Sequence, residues 1–581
     1  MRFSPLIRHS GFSLLLIASS AMAAGASDAT TPIVPPAPAP VAVAPPAPNP
    51  VTREADAEAQ FHVMAGEMAA GRNQPGIAAS EFIAALQRVD DADLAKRATA
   101  LAIAANDEGL ALQAAQRWLQ VEPTSMDARE VIARVALSHR DLATTTAQCE
   151  AIVEGHAGGI DEGLRIAASI LSQAAPQDGD AAMSVIQQLA AKYPDNAGAP
   201  HAVALVALRF NQLELADSAS QQALQMAPKD REEKLLRVGV LVRLGRTDDA
   251  DAAIEKLVKK DAKADDIRLA YAKLLLESNQ REAARTQLQK ILEHTPNEAD
   301  AMFALAVMAI NDKDYDTAEQ YLKPLLEGER SQDAAFQLGR MYEMQDDYAT
   351  ALQYYGRVDH GGQAIEAVMH QSAMLSKLGH LDAARQQLQS LRDNFPQFAP
   401  RFTLAEAELL LNAQKYDDAL DVLDVALKDQ PDDADLLYSR SLVYERMNKI
   451  DAAEKDLRTV IANQPNDARS LNALGYMLAV HTQRLDEAHD LVGKALSLDP
   501  DDASIIDSMG WVEYKRGNKD VASQLLKRAF ADFPDPEVAA HLGEVLWAQG
   551  HKDEARDIWN HALSQSPDHP VLTETMQRLE R

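Results

Sequence analysis

Four groupings of residues in this sequence could carry chemistry, and each is tested first by what its chemistry demands. Asp507-Ser508-Met509-Gly510 offers a serine two residues before a glycine, the second half of a nucleophile elbow for acyl transfer. The elbow needs a second glycine two residues before the serine, and Ile506 stands there. Ser508 also lies in a helical pattern, where a strained strand-to-helix turn cannot form. Gly493-Lys494 resembles the end of a phosphate-binding loop, but Ala495 follows where a Ser or Thr must reach the metal ion, and Ala488 holds the upstream glycine position. His541, His551, His561 and His569 would bind a metal if pairs shared a helical face, and spacings of ten and eight do not place them so. They read as ordinary surface or core histidines. Cys149 is the single cysteine, which excludes an intramolecular disulfide framework and a Cys-based zinc site. It reads as an inert, partly buried thiol, with intermolecular pairing as the alternative. No catalytic, cofactor-binding or metal-ligating residue is expected, and the chain is expected not to be an enzyme.

The elements that carry these residues follow from composition. The chain has 581 residues, 46% of them hydrophobic and 25% charged, which permits globular folding. Only 29 residues are Phe, Trp or Tyr, so the core is built mainly of Ala, Leu, Val and Ile, as in packed helices. A net charge of −30 argues against nucleic acid as a partner, because phosphate must be met by Lys and Arg, and against anionic membrane surfaces for the same reason. Most of the acids are expected to be helix caps or solvated faces that maintain solubility and oppose self-association. The stretch 229–263, with Lys229, Arg231, Lys234, Arg237, Arg243 and Arg246 among ten cations, is a local positive island that either meets an acidic partner loop or forms a solvated helix face.

The N-terminus reads as an export signal. Arg2 and Arg8 form a positive region, Phe12 to Ala18 a short apolar one, and Ala21-Met22-Ala23 ends in small residues as a cleavage site does. Cleavage after Ala23 leaves a mature chain of net charge −32. No segment approaches ~20 uninterrupted apolar residues, so no transmembrane span is expected. Without a cysteine near residue 20, no lipid anchor is expected either. The predicted location is the periplasm. Residues 24–54 follow as a Pro/Ala-rich spacer: nine prolines lie between Pro32 and Pro50, a composition that favours extended polyproline II.

From residue 55 the chain repeats itself. Pro396, Pro431, Pro465, Pro500, Pro534 and Pro567 are separated by 35, 34, 35, 34 and 33 residues, and Pro228 and Pro296 by 68. Upstream of such turns stands an alanine, giving the series Ala78, Ala111, Ala147, Ala182, Ala216, Ala250, Ala284 and onward to Ala555, at a mean step of about 34. Twelve residues before the alanine comes a small residue, as at Ala306, Gly339, Ala407, Gly510 and Gly543, with Gly475 displaced by one. Four after it comes a large one, as at Leu322, Tyr355, Leu388, Leu423, Leu526 and Trp559. Small residues let two helices approach while large ones fill the hole of the neighbouring pair. Gly379, Gly517 and Gly550 supply turns, and pairs such as Pro431-Asp432 and Pro500-Asp501 end one helix and cap the next.

This pattern of period, small-residue pair, aromatic slot and terminal proline resembles the tetratricopeptide repeat family over about 510 residues. The resemblance implies an all-α tetratricopeptide-repeat solenoid, a right-handed superhelix of about 15 helix-turn-helix units over 55–569, closed by a capping helix at 570–581. It also implies a concave groove that binds proteins or peptides and carries no catalysis. In such a groove the first helix of each unit presents the residues one and four places after its small residue and three before it. Carried onto this sequence, those positions are Tyr476, Asp507, Trp511, Tyr514, Glu544 and Trp547, of which the aromatics could anchor a partner. The Lys/Asn pattern with which some relatives clamp a C-terminal carboxylate is not visible there. The stretch from Leu471 to Gly550 is also similar to large periplasmic repeat adaptors of Proteobacteria, lipoproteins that bind a carboxyl-terminal processing protease and bring it cell-wall hydrolases. That implies an adaptor of the same kind. A scaffold for envelope secretion or exopolysaccharide export is the alternative.

Overall fold

The computed structural model of the protein describes residues 50–259, 264–567 and 569–580. The expected export signal and nearly all of the Pro/Ala-rich spacer lie outside the described residues. Thirty-one α-helices occur among the described residues, numbered in chain order from α1 (Pro50–Gly71) to α31 (Pro570–Glu580), with two short 3-10 turns and no strand. The first helix begins at Pro50, five residues ahead of the expected start of the repeats. A proline is well placed in a first helical turn because its missing N–H would have had no partner there.

Helices α1 to α8 and α11 to α30 form antiparallel pairs, each a first helix A and a second helix B, and the alanine series falls near the start of the B helices, with Ala216 likewise early in the helix Leu213–Met226. Fourteen of those alanines are buried. The exception is Ala147, which is exposed; Thr145, fully buried, fills the slot in its place. The cause is local: Asp141 caps that helix by accepting from the Thr144 amide, and the buried position is the fourth after the cap, as at Asp314 and Ala318. Thr145 satisfies its hydroxyl by donating to the Asp141 carbonyl at 2.8 Å, so the slot tolerates it.

Close approach of A to B depends on the small residue of helix A. A methyl group built on Gly543 would stand 1.9 Å from Nε1 of Trp559, the largest fully buried side chain. On Gly510 it would stand 2.7 Å from Leu526. Large-to-small matching of this kind removes the big side chain from water without leaving a void, worth about 1.5–3 kcal/mol per residue. In most pairs the chain turns between helices A and B through a left-handed residue: glycine at 245, 379, 517 and 550, asparagine at 73, 106, 279 and 448, and Arg140, Lys313, Asp346 and Gln414 in the others. Asparagine tolerates that region better than other side chains, so the turn does not require glycine. Between units, Asp433 and Asp502 cap the next helix A, Asp433 accepting from the Leu436 amide at 2.9 Å and Asp502 from that of Ile505 at 3.0 Å.

The described chain divides into two compact units, one ending at Phe210 and one beginning at Asn211. The first contains α1 to α9 (Gly198–Arg209); the second contains α10 (Leu213–Met226) to α31. Near the C-terminus, α31 packs on α29 (Pro536–Gln549), with Leu572 buried and Val571, Met576 and Leu579 beside it.

Candidate protein-binding site

The candidate residues sit on three successive A helices of the second unit: α25 (Ala468–His481), α27 (Ala503–Lys515) and α29. Five of the six are joined into one connected arrangement. Nδ1 of His541 lies 3.0 Å from the Asp507 carboxylate, and its ring stacks on Trp511 at a centroid distance of 4.2 Å. Its Nε2 lies 3.3 Å from the Tyr476 hydroxyl. Trp511 in turn packs against Tyr514 at 5.3 Å, with Lys515 Nζ over the indole at 4.8 Å. The Tyr514 hydroxyl donates to Glu544 at 3.4 Å, and Glu544 is held by an ion pair with Arg578 of α31.

Trp547 stands apart from this group. It lies four residues after Gly543, on the face of α29 that meets α30 (Lys552–Gln565), and there it stacks on Trp559 at 5.6 Å with Lys552 and Arg556 over its ring. Asp507, Trp511 and Glu544 are buried, whereas Tyr476, Tyr514 and Trp547 are half-buried. The first three are therefore supports, and the second three are the side chains that can meet a partner.

His541 is the residue that sequence reasoning missed. It is buried, in keeping with a core histidine, and its place at the centre of the groove residues is what the sequence reading lacked. A signal was present: it follows Asp507 by 34 residues, one repeat, and equivalent places on neighbouring A helices lie side by side. Burial works against its protonation, but the Asp507 carboxylate, by charge and by hydrogen bond, with Glu537 and Glu544 nearby, outweighs that and holds its pKa above the usual histidine value. Burial, with Glu544 beside it, raises the Tyr514 hydroxyl pKa. The Glu544 hydrogen bond raises that of Arg578.

The other chemistry-bearing residues have structural partners. Ser508 Oγ donates to the Ser504 carbonyl at 2.9 Å within α27, and Lys494 Nζ to the Pro465 carbonyl at 2.5 Å. No group of three or more His, Cys, Asp or Glu able to hold a metal occurs among the described residues. Cys149 is buried, and desolvation pushes its thiol pKa up to about 12. In the positive stretch, Arg237 and Arg246 are paired with Asp217, which lies outside it, and Arg246 also with Asp249 at 2.7 Å. One acid of the preceding helix, Asp217, thus neutralises part of that charge. No described helix is long and apolar enough to cross a membrane.

Family models agree with the repeats seen here over the segments they match. Models of the tetratricopeptide repeat match residues 241–307, 333–359, 375–434, 438–503 and 508–570. A TPR repeat-containing protein of Pseudomonas aeruginosa is 44% identical over 210 residues, which cover 36% of this chain and 36% of that protein's own length. Among solved structures, a thermophilic TPR protein of Thermus thermophilus is 25% identical over 31% of this chain and 97% of its own, with a TM-score of 0.29. A tetratricopeptide repeat protein of Parabacteroides merdae is 16% identical over 43% of this chain and all of its own, with a TM-score of 0.35. Proteins built of such repeats are in general non-enzymatic scaffolds for protein–protein interaction. With its paired helices, its alanine slots and these matched segments, the chain is an all-α solenoid of tetratricopeptide repeats.

Proposed function

We propose that the protein is a non-enzymatic adaptor of the bacterial envelope, exported to the periplasm by its first 23 residues, that presents substrates such as cell-wall hydrolases to a carboxyl-terminal processing protease. The observation that carries the binding part of this reading is the pair of half-buried tyrosines, Tyr476 on α25 and Tyr514 on α27, fixed from behind by Trp511, His541, Asp507 and Glu544. Tyrosines preorganised in this way supply contact area at little entropic cost, which is why they recur as binding hot spots. The charges around them are compensated within the site, His541 with Asp507 and Arg578 with Glu544, so a partner can cover them without leaving a bare ion. Holding protease and substrate on one solenoid raises their mutual concentration without any new chemistry.

The test is affinity capture with residues 24–581 as bait from an envelope extract, beside a Tyr476→Ala/Tyr514→Ala bait whose folding is verified by circular dichroism. A processing protease and cell-wall hydrolases retained by the first bait and lost by the second support the adaptor. Components of secretion or exopolysaccharide export in their place would sink it and leave the scaffold for that machinery as the reading.

A further inference from the structure

The first helix carries an apolar face that no described residue covers. Ala59, Gly66 and Ala69 turn α1 toward α2 (Pro75–Leu86); a methyl group on Gly66 would stand 2.4 Å from the Phe82 ring. On the opposite side Phe61, Met64 and Met68 are 65%, 66% and 57% exposed, and Ile77 of α2 is 55% exposed. At 100° per residue, Phe61, Met64, Ala65 and Met68 share one stripe, and Arg72, just past the helix end, continues it. Elsewhere in the chain large exposed apolar residues such as Val425 are scattered; here three fall on a single helical face.

We propose that this face is a homodimer interface, in which α1 of one copy packs antiparallel on α1 of a second copy about a two-fold axis beside Met64. The stripe is self-complementary in that arrangement. The two-fold sets Phe61 opposite Met68 of the second copy, Met64 opposite the small Ala65, and Glu58 opposite Gly71 beside Arg72. Large therefore meets small at the centre, and acid meets base at both ends.

Charge allows the approach even though the chain as a whole is strongly negative. Glu58 is paired with Arg88 at 2.9 Å and Glu67 with Arg97, so the rim of the stripe is locally neutral. The exposed parts of Phe61, Met64 and Met68 amount to roughly 400 Å² per copy, or about 800 Å² for the pair, which is the size of a weak, reversible interface rather than an obligate one.

The test is analytical ultracentrifugation of residues 24–581 from about 1 to about 100 µM, a range chosen for an interface of that size. The expected result is a concentration-dependent doubling of mass, abolished by Met64→Glu and unaffected by Val425→Glu, an equally exposed apolar site elsewhere. Met64 is exposed, so the substitution leaves the fold intact, which an unchanged circular dichroism spectrum checks. Met64→Cys provides a second readout. Because Cys149 is buried and its thiol unreactive, any disulfide-linked dimer formed on mild oxidation must join position 64 to its copy. A monomer throughout the concentration range overturns the proposal, as does a dimer that survives Met64→Glu or a Met64→Cys chain that fails to crosslink.

Discussion

His541 and Asp507 stand one repeat apart in the chain and 3.0 Å apart in space, an ion pair that ties α29 to α27 with Trp511 stacked on the imidazole. The pair makes part of the stability of this region depend on pH. The folded-state pKa of His541 lies above that of the unfolded chain, so its contribution is complete below the unfolded value near 6.5 and is lost as pH rises through the raised folded value. Unfolding of the wild type and of His541→Phe, followed by urea denaturation at successive pH values, should differ most in acid and converge on the alkaline side. A difference that grows with pH would contradict this assignment.

Breaking that pair from one side should cost more than removing its pH dependence. Asp507→Ala leaves a buried imidazole without its counter-charge, for which the expected loss is about 3 kcal/mol. The same substitution removes the carboxylate that holds the imidazole stacked on Trp511, so indole fluorescence should change as stability falls. An unaltered urea midpoint would show that the pair carries no net stability.

Two glycines give opposite predictions from one substitution. Gly543→Ala forces a methyl against Trp559 and should destabilise the last repeat by about 1–3 kcal/mol. Gly239, within α11 (Arg231–Arg243), has nothing within 4 Å of the position a methyl would take. Gly239→Ala should therefore stabilise by about 0.5–1 kcal/mol through the lower entropy of the unfolded chain. Equal effects in thermal melts of the two variants would contradict this account of the A–B contact.

The displaced alanine of the third pair is open to the same kind of measurement. Ala147→Lys places a charge on an exposed helix face and should shift stability by no more than about 0.5 kcal/mol. Ala182→Lys, in the buried slot of the next pair, should cost several times that or abolish cooperative unfolding. Comparable urea midpoints for the two would mean that Ala147, not Thr145, fills the slot.

Cys149 should resist modification as long as the chain is folded. With its thiol pKa pushed up to about 12 and its side chain buried, reaction with a thiol reagent at pH 8 should proceed only at the rate at which the surrounding helices open. Stoichiometric labelling within seconds in the native state would contradict the burial.

The sequence by itself determined the repeat: a period of about 34 with small, large and proline positions can be met only by stacked helix pairs, because each position faces a fixed neighbour once the pairing is set. In the same way Ser508, Lys494 and the C-terminal histidines match no catalytic or metal-binding motif, since those chemistries need partners at set spacings. Five of the six residues assigned to the groove, Tyr476, Asp507, Trp511, Tyr514 and Glu544, do come together, because a repeat places equivalent positions in register. What tertiary structure alone decided is what each of them packs against. Trp547 and Tyr514 share the place four residues after the small glycine, yet Trp547 stacks on Trp559, whereas Tyr514 packs on Trp511 and bonds Glu544. Helical register sets the angle of a side chain, but what it meets depends on the size and charge of residues such as Trp559 and Glu544, 12 and 30 places away in the chain, and no periodicity records those. The role of His541 was legible only in part: its place one repeat after Asp507 puts the two in register, but that the imidazole meets that carboxylate and stacks on Trp511 is set by packing.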